Sequence, residues 1–267
     1  HQLAHKYKHE LHCNEVAILP YYIANLNIEY TYKQKMGAYE PFENIVFVDT
    51  LDNMGFKTGY VRQLGLFGLT DENSERIERQ NKRDISVIIG NPPYNAWQEN
   101  YNLSNPNRSY KEIDDRIRQT YARQGTAQNQ IGLYDMYTRF YRWASDRLGE
   151  EGIVAFITNN SFIDARVYDG FRKVIAEEFN YIYLVDLGGN VRNNPKLSGT
   201  KNNVFGIQAG VTIGFMVRHR NDSSSCHVFY ARRPEMDTAS QKLQFLATNS
   251  FRQIDFQHIN PNHRHSW

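Results

Sequence analysis

Asn91-Pro92-Pro93-Tyr94 places a carboxamide, two prolines and an aromatic ring directly after Ile85-Ser86-Val87-Ile88-Ile89-Gly90. Prolines cannot donate to a ladder or continue an extended sheet, so a buried strand over 85–89 is predicted to stop at this tetrapeptide. The chemistry that suits such a set is narrow. An exocyclic aromatic amine is a poor nucleophile because its lone pair is delocalised into the ring. Acceptors aimed at its N–H bonds favour a pyramidal nitrogen and the positive charge that develops there. The Asn91 side-chain oxygen is one acceptor, and the Pro92 carbonyl, held at a fixed angle by the Pro-Pro unit, is a second. Tyr94 can stack on a flat base, and no general base is needed if the proton leaves after transfer. The bland alternative is a Pro-rich turn that merely ends a strand; the apolar run before it and the aromatic after it argue for the functional one.

Other elements must bring that tetrapeptide to a ligand edge. Residues 8–17 predict a strand ending at Glu15, and 18–33 a helix, with Ile18, Tyr21, Tyr22, Asn25, Ile28 and Glu29 recurring at three and four residues and Pro20 in the first turn. Residues 45–49 read as a buried strand with Asp49 at its C-terminal end, and 53–84 as an insertion with a charged run. A helix over 133–148 leads to a strand at 153–158, and Asn159-Asn160-Ser161 to a further helix, with Ser161 as its expected N-cap. Strands at 181–186 and 211–217 flank a polar loop with no helical pattern, so they are expected to pair antiparallel. The sum is a doubly wound α/β sheet, mostly parallel, with an antiparallel strand near its end. Ligands bind such sheets beyond the C-terminal strand ends, where Glu15, Asp49 and the tetrapeptide all fall.

The bulk properties narrow the class. The 267 residues suffice for one large domain or two small ones, and Lys+Arg 31 against Asp+Glu 29 leaves a net charge of +2, so any polyanion-binding surface must be local. Two cysteines, Cys13 and Cys226, cannot build a disulfide framework or a four-cysteine zinc site, which fits a reducing cytoplasm. No stretch approaches the roughly 18 apolar residues of a membrane span, and no signal peptide is present. His5, His9, His12, His263 and His265 lack the Cys or carboxylate partners of a metal site, so none is expected.

The tetrapeptide resembles the motif of amino-methyltransferases that use S-adenosylmethionine, specifically the N6-adenine DNA methyltransferases. The resemblance continues through Glu10-Leu11-His12-Cys13-Asn14-Glu15, Ala24-Asn25-Leu26-Asn27-Ile28-Glu29, Leu133-Tyr134-Asp135, Trp143-Ala144-Ser145-Asp146-Arg147-Leu148 and Asn203-Val204-Phe205-Gly206-Ile207-Gln208. Over nearly the whole chain it is similar to the methyltransferase module of single-polypeptide (type ISP-like) restriction–modification enzymes, which join nuclease, helicase, methyltransferase and target-recognition parts. The resemblance implies a Rossmann-like sheet and S-adenosyl-L-methionine as cofactor. It also implies double-stranded DNA with a flipped adenine as substrate, since an adenine inside a duplex cannot reach such a pocket. Asn91, Pro92, Pro93 and Tyr94 would be catalytic; Glu15 would hold the cofactor's ribose hydroxyls and Asp49 its adenine amino group, with Asp52 as a substitute. Phe205 would stack on the target base beside Tyr94. Arg192, Lys196 and Lys201, in an acid-free loop over 190–203, suit phosphate contacts, whereas residues 108–123 read as an exposed helix.

One departure is large. The Gly-rich turn that approaches the methionine part of the cofactor should precede Glu15 and does not occur, and Gly65-Leu66-Phe67-Gly68 has neither the spacing nor the strand to replace it. The chain is therefore expected to be a piece of a longer protein, inactive alone, with a catalytic core over 1–232 and an extension over 233–267 leading toward target recognition. Two other functions stay open at this point: methylation of a protein glutamine or RNA amino group, and a DNA-binding or interdomain scaffold without turnover.

Overall fold

A computed structural model describes residues 2–58, 71–93, 109–190, 201–220 and 225–267, in two compact units, His1–Asp84 and Ile85–Trp267. These units follow different boundaries from a division at 232. Among the described residues no helix is long and apolar enough to cross a membrane.

The first unit contains α1 (Gln2–His9), β1 (Cys13–Glu15), α2 (Ile18–Met36), β2 (Ile45–Phe47), α3 (Gly55–Thr58) and α4 (Asp71–Asn81). β1 and β2 pair in parallel, Cys13 opposite Ile45 and Glu15 opposite Phe47. The strand expected over 8–17 is shorter because its start belongs to α1, where Tyr7 stacks on Tyr32 of α2 at 3.8 Å and packs on Phe42. α2 ends at Gly37, whose φ of 76° is the left-handed cap conformation and whose N–H bonds the Lys33 carbonyl. Part of the stretch read as an insertion forms α4. From it Asn73 satisfies both backbone groups of Phe47, accepting from its N–H (2.9 Å) and donating to its carbonyl (3.0 Å).

The second unit contains β3 (Ile85–Gly90), α5 (Lys111–Ile117), α6 (Met136–Arg147), β4 (Leu148–Asn159), α7 (Asp169–Glu178), β5 (Tyr181–Gly188), β6 (Val211–Arg218), β7 (His227–Arg232), α8 (Ala239–Thr248) and β8 (Gln257–Ile259). The sheet order is β3-β4-β6-β5-β7-β8. β3 pairs parallel to β4 and β5 parallel to β7, while β6 runs antiparallel to both β4 and β5 and β8 antiparallel to β7. Four strands thus point one way and two the other, with β6 in the antiparallel relation to β5 that the polar loop predicted.

Gly152 shapes the junction of β3 and β4. Its φ of 151° and the 2.2 Å that would separate an added Cβ from the Ser86 carbonyl oxygen admit no side chain, and the ladder shifts register there between Ile85 and Val87. Above the sheet, Tyr121, Tyr137, Tyr141, Phe156, Phe162 and Phe171 form one buried aromatic core. Residues 108–123 do not make the exposed helix expected of them. Described from 109 onward, they form α5 and a following turn that bury Ile113, Ile117 and Tyr121, because Arg116 and Asp114 point their charges at Asp146 and Arg139 rather than at water. The end of the chain returns to this core: Trp267 is buried against Phe162 and Phe171, and the fully buried Arg172 donates to the carbonyls of Phe162, Ala165, Arg264 and His265.

Candidate active site

Asn91, Pro92 and Pro93 follow β3 where its ladder stops, at Gly90 opposite Phe156 of β4. A Cβ on Gly90 would lie 3.1 Å from the Phe156 ring, so glycine lets that ring pack directly beneath the strand end. Asn91 and Pro93 are exposed and Pro92 is buried: the carboxamide stands at the surface on an anchored proline. Tyr94, Arg192 and Lys196 lie outside the described residues.

β4 ends at the same edge. The expected N-cap is two residues off: Asn159, not Ser161, caps the short turn Asn160–Ile163, its Oδ1 accepting from the Ser161 N–H (2.8 Å) and hydroxyl (2.7 Å). The longer reach of the Asn side chain serves both donors. Asn160 donates through Nδ2 to Asp186 at the end of β5 (3.0 Å). Buried Asp186 also accepts from the Gly188 N–H (2.8 Å) and the Tyr230 hydroxyl (2.7 Å), and Arg232 lies 3.7 Å away. This carboxylate ties the ends of β4, β5 and β7 together. Sequence reasoning missed its role, although an acid at a strand terminus is the signal that singled out Glu15.

Asp135 is the N-cap of α6, which leads into β4, so the N-terminus of the helix lies at this same edge. Asp135 is almost fully buried, and its Oδ1 has no hydrogen-bond partner among the described residues. Burial pushes its carboxyl up to about 7. A native carboxyl raised above its unfolded value favours folding most at low pH, and that contribution is lost as pH rises from about 4 to about 7. Asp135→Asn keeps the size and shape of the side chain and removes its charge. Its stability advantage over the wild type is expected to widen by about 2–3 kcal/mol between about pH 5 and about pH 8, read by denaturant unfolding; a gap independent of pH would contradict this.

The turn after β5 carries Phe205, whose residue surface is 45% exposed. Asn203 builds it: Oδ1 accepts from the N–H groups of Phe205 (2.9 Å) and Ile207 (3.3 Å), while Nδ2 donates to the carbonyls of Ala209 (2.6 Å) and Gly189 (3.3 Å). Lys201 precedes it and is exposed.

In the first unit, Glu15 and Asp49 occupy the C-terminal ends of neighbouring parallel strands, with the Val48 N–H bonded to the Glu15 carbonyl (2.9 Å). Glu15 Oε1 accepts from the N–H groups of Val16 and Ala17, both at 2.8 Å, as the chain enters α2. Asp49 Oδ1 accepts from the Leu51 N–H (3.0 Å), and the Asp49 carbonyl from those of Asp52 and Asn53. The structure thus gathers Glu15 with Asp49 at one sheet end, and Asn91 with Asn160 and Asp186 at another.

A mostly parallel sheet with an internal antiparallel strand and an Asn-Pro-Pro at a strand end defines a Rossmann-like methyltransferase. The chain belongs to the Eco57I restriction-modification methylase family, whose model matches residues 19–192. Among solved structures it is similar to DrdV in complex with DNA (51% identity, TM-score 0.88), over 100% of this chain and 25% of that one. It is also similar to the ATP-dependent Type ISP restriction-modification enzyme LlaBIII bound to DNA (35% identity, TM-score 0.87, 99% of this chain and 18% of that one). A nuclease-deletion mutant of the Type ISP enzyme LlaGI with a DNA substrate mimic matches at 33% identity and TM-score 0.87, over 99% and 22% of the two chains. The chain spans a quarter or less of the length of these three. No curated protein matches it.

Proposed function

We propose that this chain is the catalytic part of an S-adenosylmethionine-dependent methyltransferase acting on the N6 amino group of adenine in DNA, within a larger restriction–modification enzyme that also carries nuclease, helicase and target-recognition domains. The observation that carries the reading is an exposed carboxamide on a buried proline at the C-terminal end of β3, the edge where α/β sheets receive ligands. Asn91 Oδ1 and the Pro92 carbonyl accept from the two N–H bonds of the amine and leave its lone pair directed at the methyl group. Phe205, with Tyr94, stacks on the extruded base, and Lys201, with Arg192 and Lys196, meets phosphates.

The donor set of the first unit fits the cofactor. Glu15 spends Oε1 on backbone N–H groups, which leaves Oε2 for ribose hydroxyls, and the Asp49 carboxylate, with exposed Asp52 beside it, suits an exocyclic amine. When bound, S-adenosylmethionine supplies an electrophilic methyl group on a sulfonium. Among the described residues β3 ends its sheet with β4 as its one strand neighbour, which supports the addition of a further strand bearing the Gly-rich turn. Enzymes of this kind work in the cytoplasm.

Incubating the full-length enzyme with methyl-labelled cofactor and adenine-containing duplexes tests the reading. Label recovered as N6-methyladenine is the expected result. Label in glutamine peptides or RNA instead, or DNA retained without label, would overturn it.

A further inference from the structure

The turn that presents Phe205 is gripped by the segment that follows β7. Asn202, buried beside the turn-building Asn203, donates through Nδ2 to the carbonyls of Met236 (2.9 Å) and Asp237 (3.0 Å). Its own carbonyl accepts from the Lys242 ammonium at 2.5 Å. Lys242 has no exposed surface, although it lies on the ten-residue helix α8. A second tie comes from the first residue of that helix, where the Ala239 N–H donates to the Lys201 carbonyl at 2.9 Å. Lysine is almost never fully buried unless its charge is met. Asp237, the nearby acid, pairs with Arg233 at 2.6 Å, and the Lys242 charge goes to a loop carbonyl. A charge-assisted bond of this kind is roughly twice as strong as a neutral one.

We infer that Lys242 is a positioning residue for the target base: with the Ala239 N–H it clamps the turn over 201–210 so that the Phe205 ring is held where an extruded base stacks. The inference rests on the stacking reading of Phe205 given above. The clamp also makes the ring sensitive to any displacement of α8.

The experiment compares Phe205→Ala, Lys242→Met, Ala239→Pro and the doubles with Phe205→Ala in the full-length enzyme, measuring kcat and KM for methylation of duplex DNA. Ala239→Pro is a narrow lesion. Proline suits the first position of a helix, and Thr238 before it is already extended (φ −71°, ψ 161°), so the substitution removes the N–H and leaves α8 in place. Each clamp variant is expected to lower kcat about tenfold with KM for DNA changed less than about twofold, since small misplacements of a positioning group act on the reacting complex. Little further loss is expected when either is combined with Phe205→Ala, because residues acting as one unit are non-additive. Folded clamp variants with unchanged kcat, or losses that multiply with that of Phe205→Ala, would overturn the clamp while the methylation reading stands. Should Lys242→Met fail to fold, Ala239→Pro decides alone. If Phe205→Ala itself is silent, the stacking reading falls and the clamp with it.

Discussion

Replacing Asn91 with alanine in the full-length enzyme is expected to lower kcat for methyl transfer by about 10²–10³-fold or more, the usual cost of deleting one preorganised hydrogen-bond partner of a developing charge. The expectation is specific to kcat. A carboxamide that grips the amine as nitrogen becomes pyramidal stabilises the transition state more than the bound base, so kcat and kcat/KM fall together. Stability should not change, because Asn91 is exposed beyond the last ladder residue of β3 and the neighbouring Pro92 supplies the buried anchor. Asn91→Ala with wild-type turnover would remove the residue from its role, and an effect confined to KM would make it a binding residue only.

Arg142→Met is expected to produce the opposite pattern, with a large loss of stability and little change in turnover per folded molecule. Arg142 is 1% exposed, donates to Glu178 at 2.9 and 3.1 Å and to Asp146 at 2.9 Å, and lies over the Tyr121 ring. Arg116 completes the pairing with Asp146, and Ser145 donates to Glu178. Arg218 adds bonds to the carbonyls of Ser145, Leu148, Gly149 and Glu178. Deleting one member of a buried ionic cluster strands the others without compensation, at about 3–5 kcal/mol. For a unit of this size that is a fall in Tm of about 6–20 °C. The cluster gathers at the start of β4, whereas the candidate site lies at its end; from Gly152, opposite Arg218, to Asn159 the strand advances roughly 20 Å. A variant with an unchanged Tm would show the cluster to be dispensable, and one with an unchanged Tm but slowed turnover would give it a role in the site.

The elements that carry the site were the legible ones, and for a physical reason. β3 and the central part of β4 are apolar runs bounded by breakers, and β5 and β6 flank a polar loop, so the place of each strand is written in its own residues; the burial expected over 85–89 is not, since only Ile88 of β3 is buried and Val87 and Ile89 are exposed. β7 and β8 were not seen because His227-Val228-Phe229-Tyr230-Ala231-Arg232 and Gln257-His258-Ile259 lie toward one side of the sheet, half-exposed, and hold their places through partners distant in sequence. α8 did leave a sign: Thr238 and Gln241 are spaced as a capping box, and both of its reciprocal bonds form. α1 was misread because the burial of Tyr7 depends on Tyr32 and Phe42, which no local pattern reveals. Within the candidate site, the Asn-Pro-Pro was readable as the stop to β3. The three-strand tie made by Asp186 and the burial of Lys242 were not, since each depends on groups that only the folded sheet brings together.

The flank of β3 that no described strand covers makes concentration a folding variable for these residues. Ile89 is 79% exposed, and among the described residues β3 has β4 as its only strand neighbour. Amides that no described strand pairs, with isoleucine and valine close by, are a template for further extended backbone. A strand of the same polypeptide would close such an edge, and one from a second molecule would lead to aggregation.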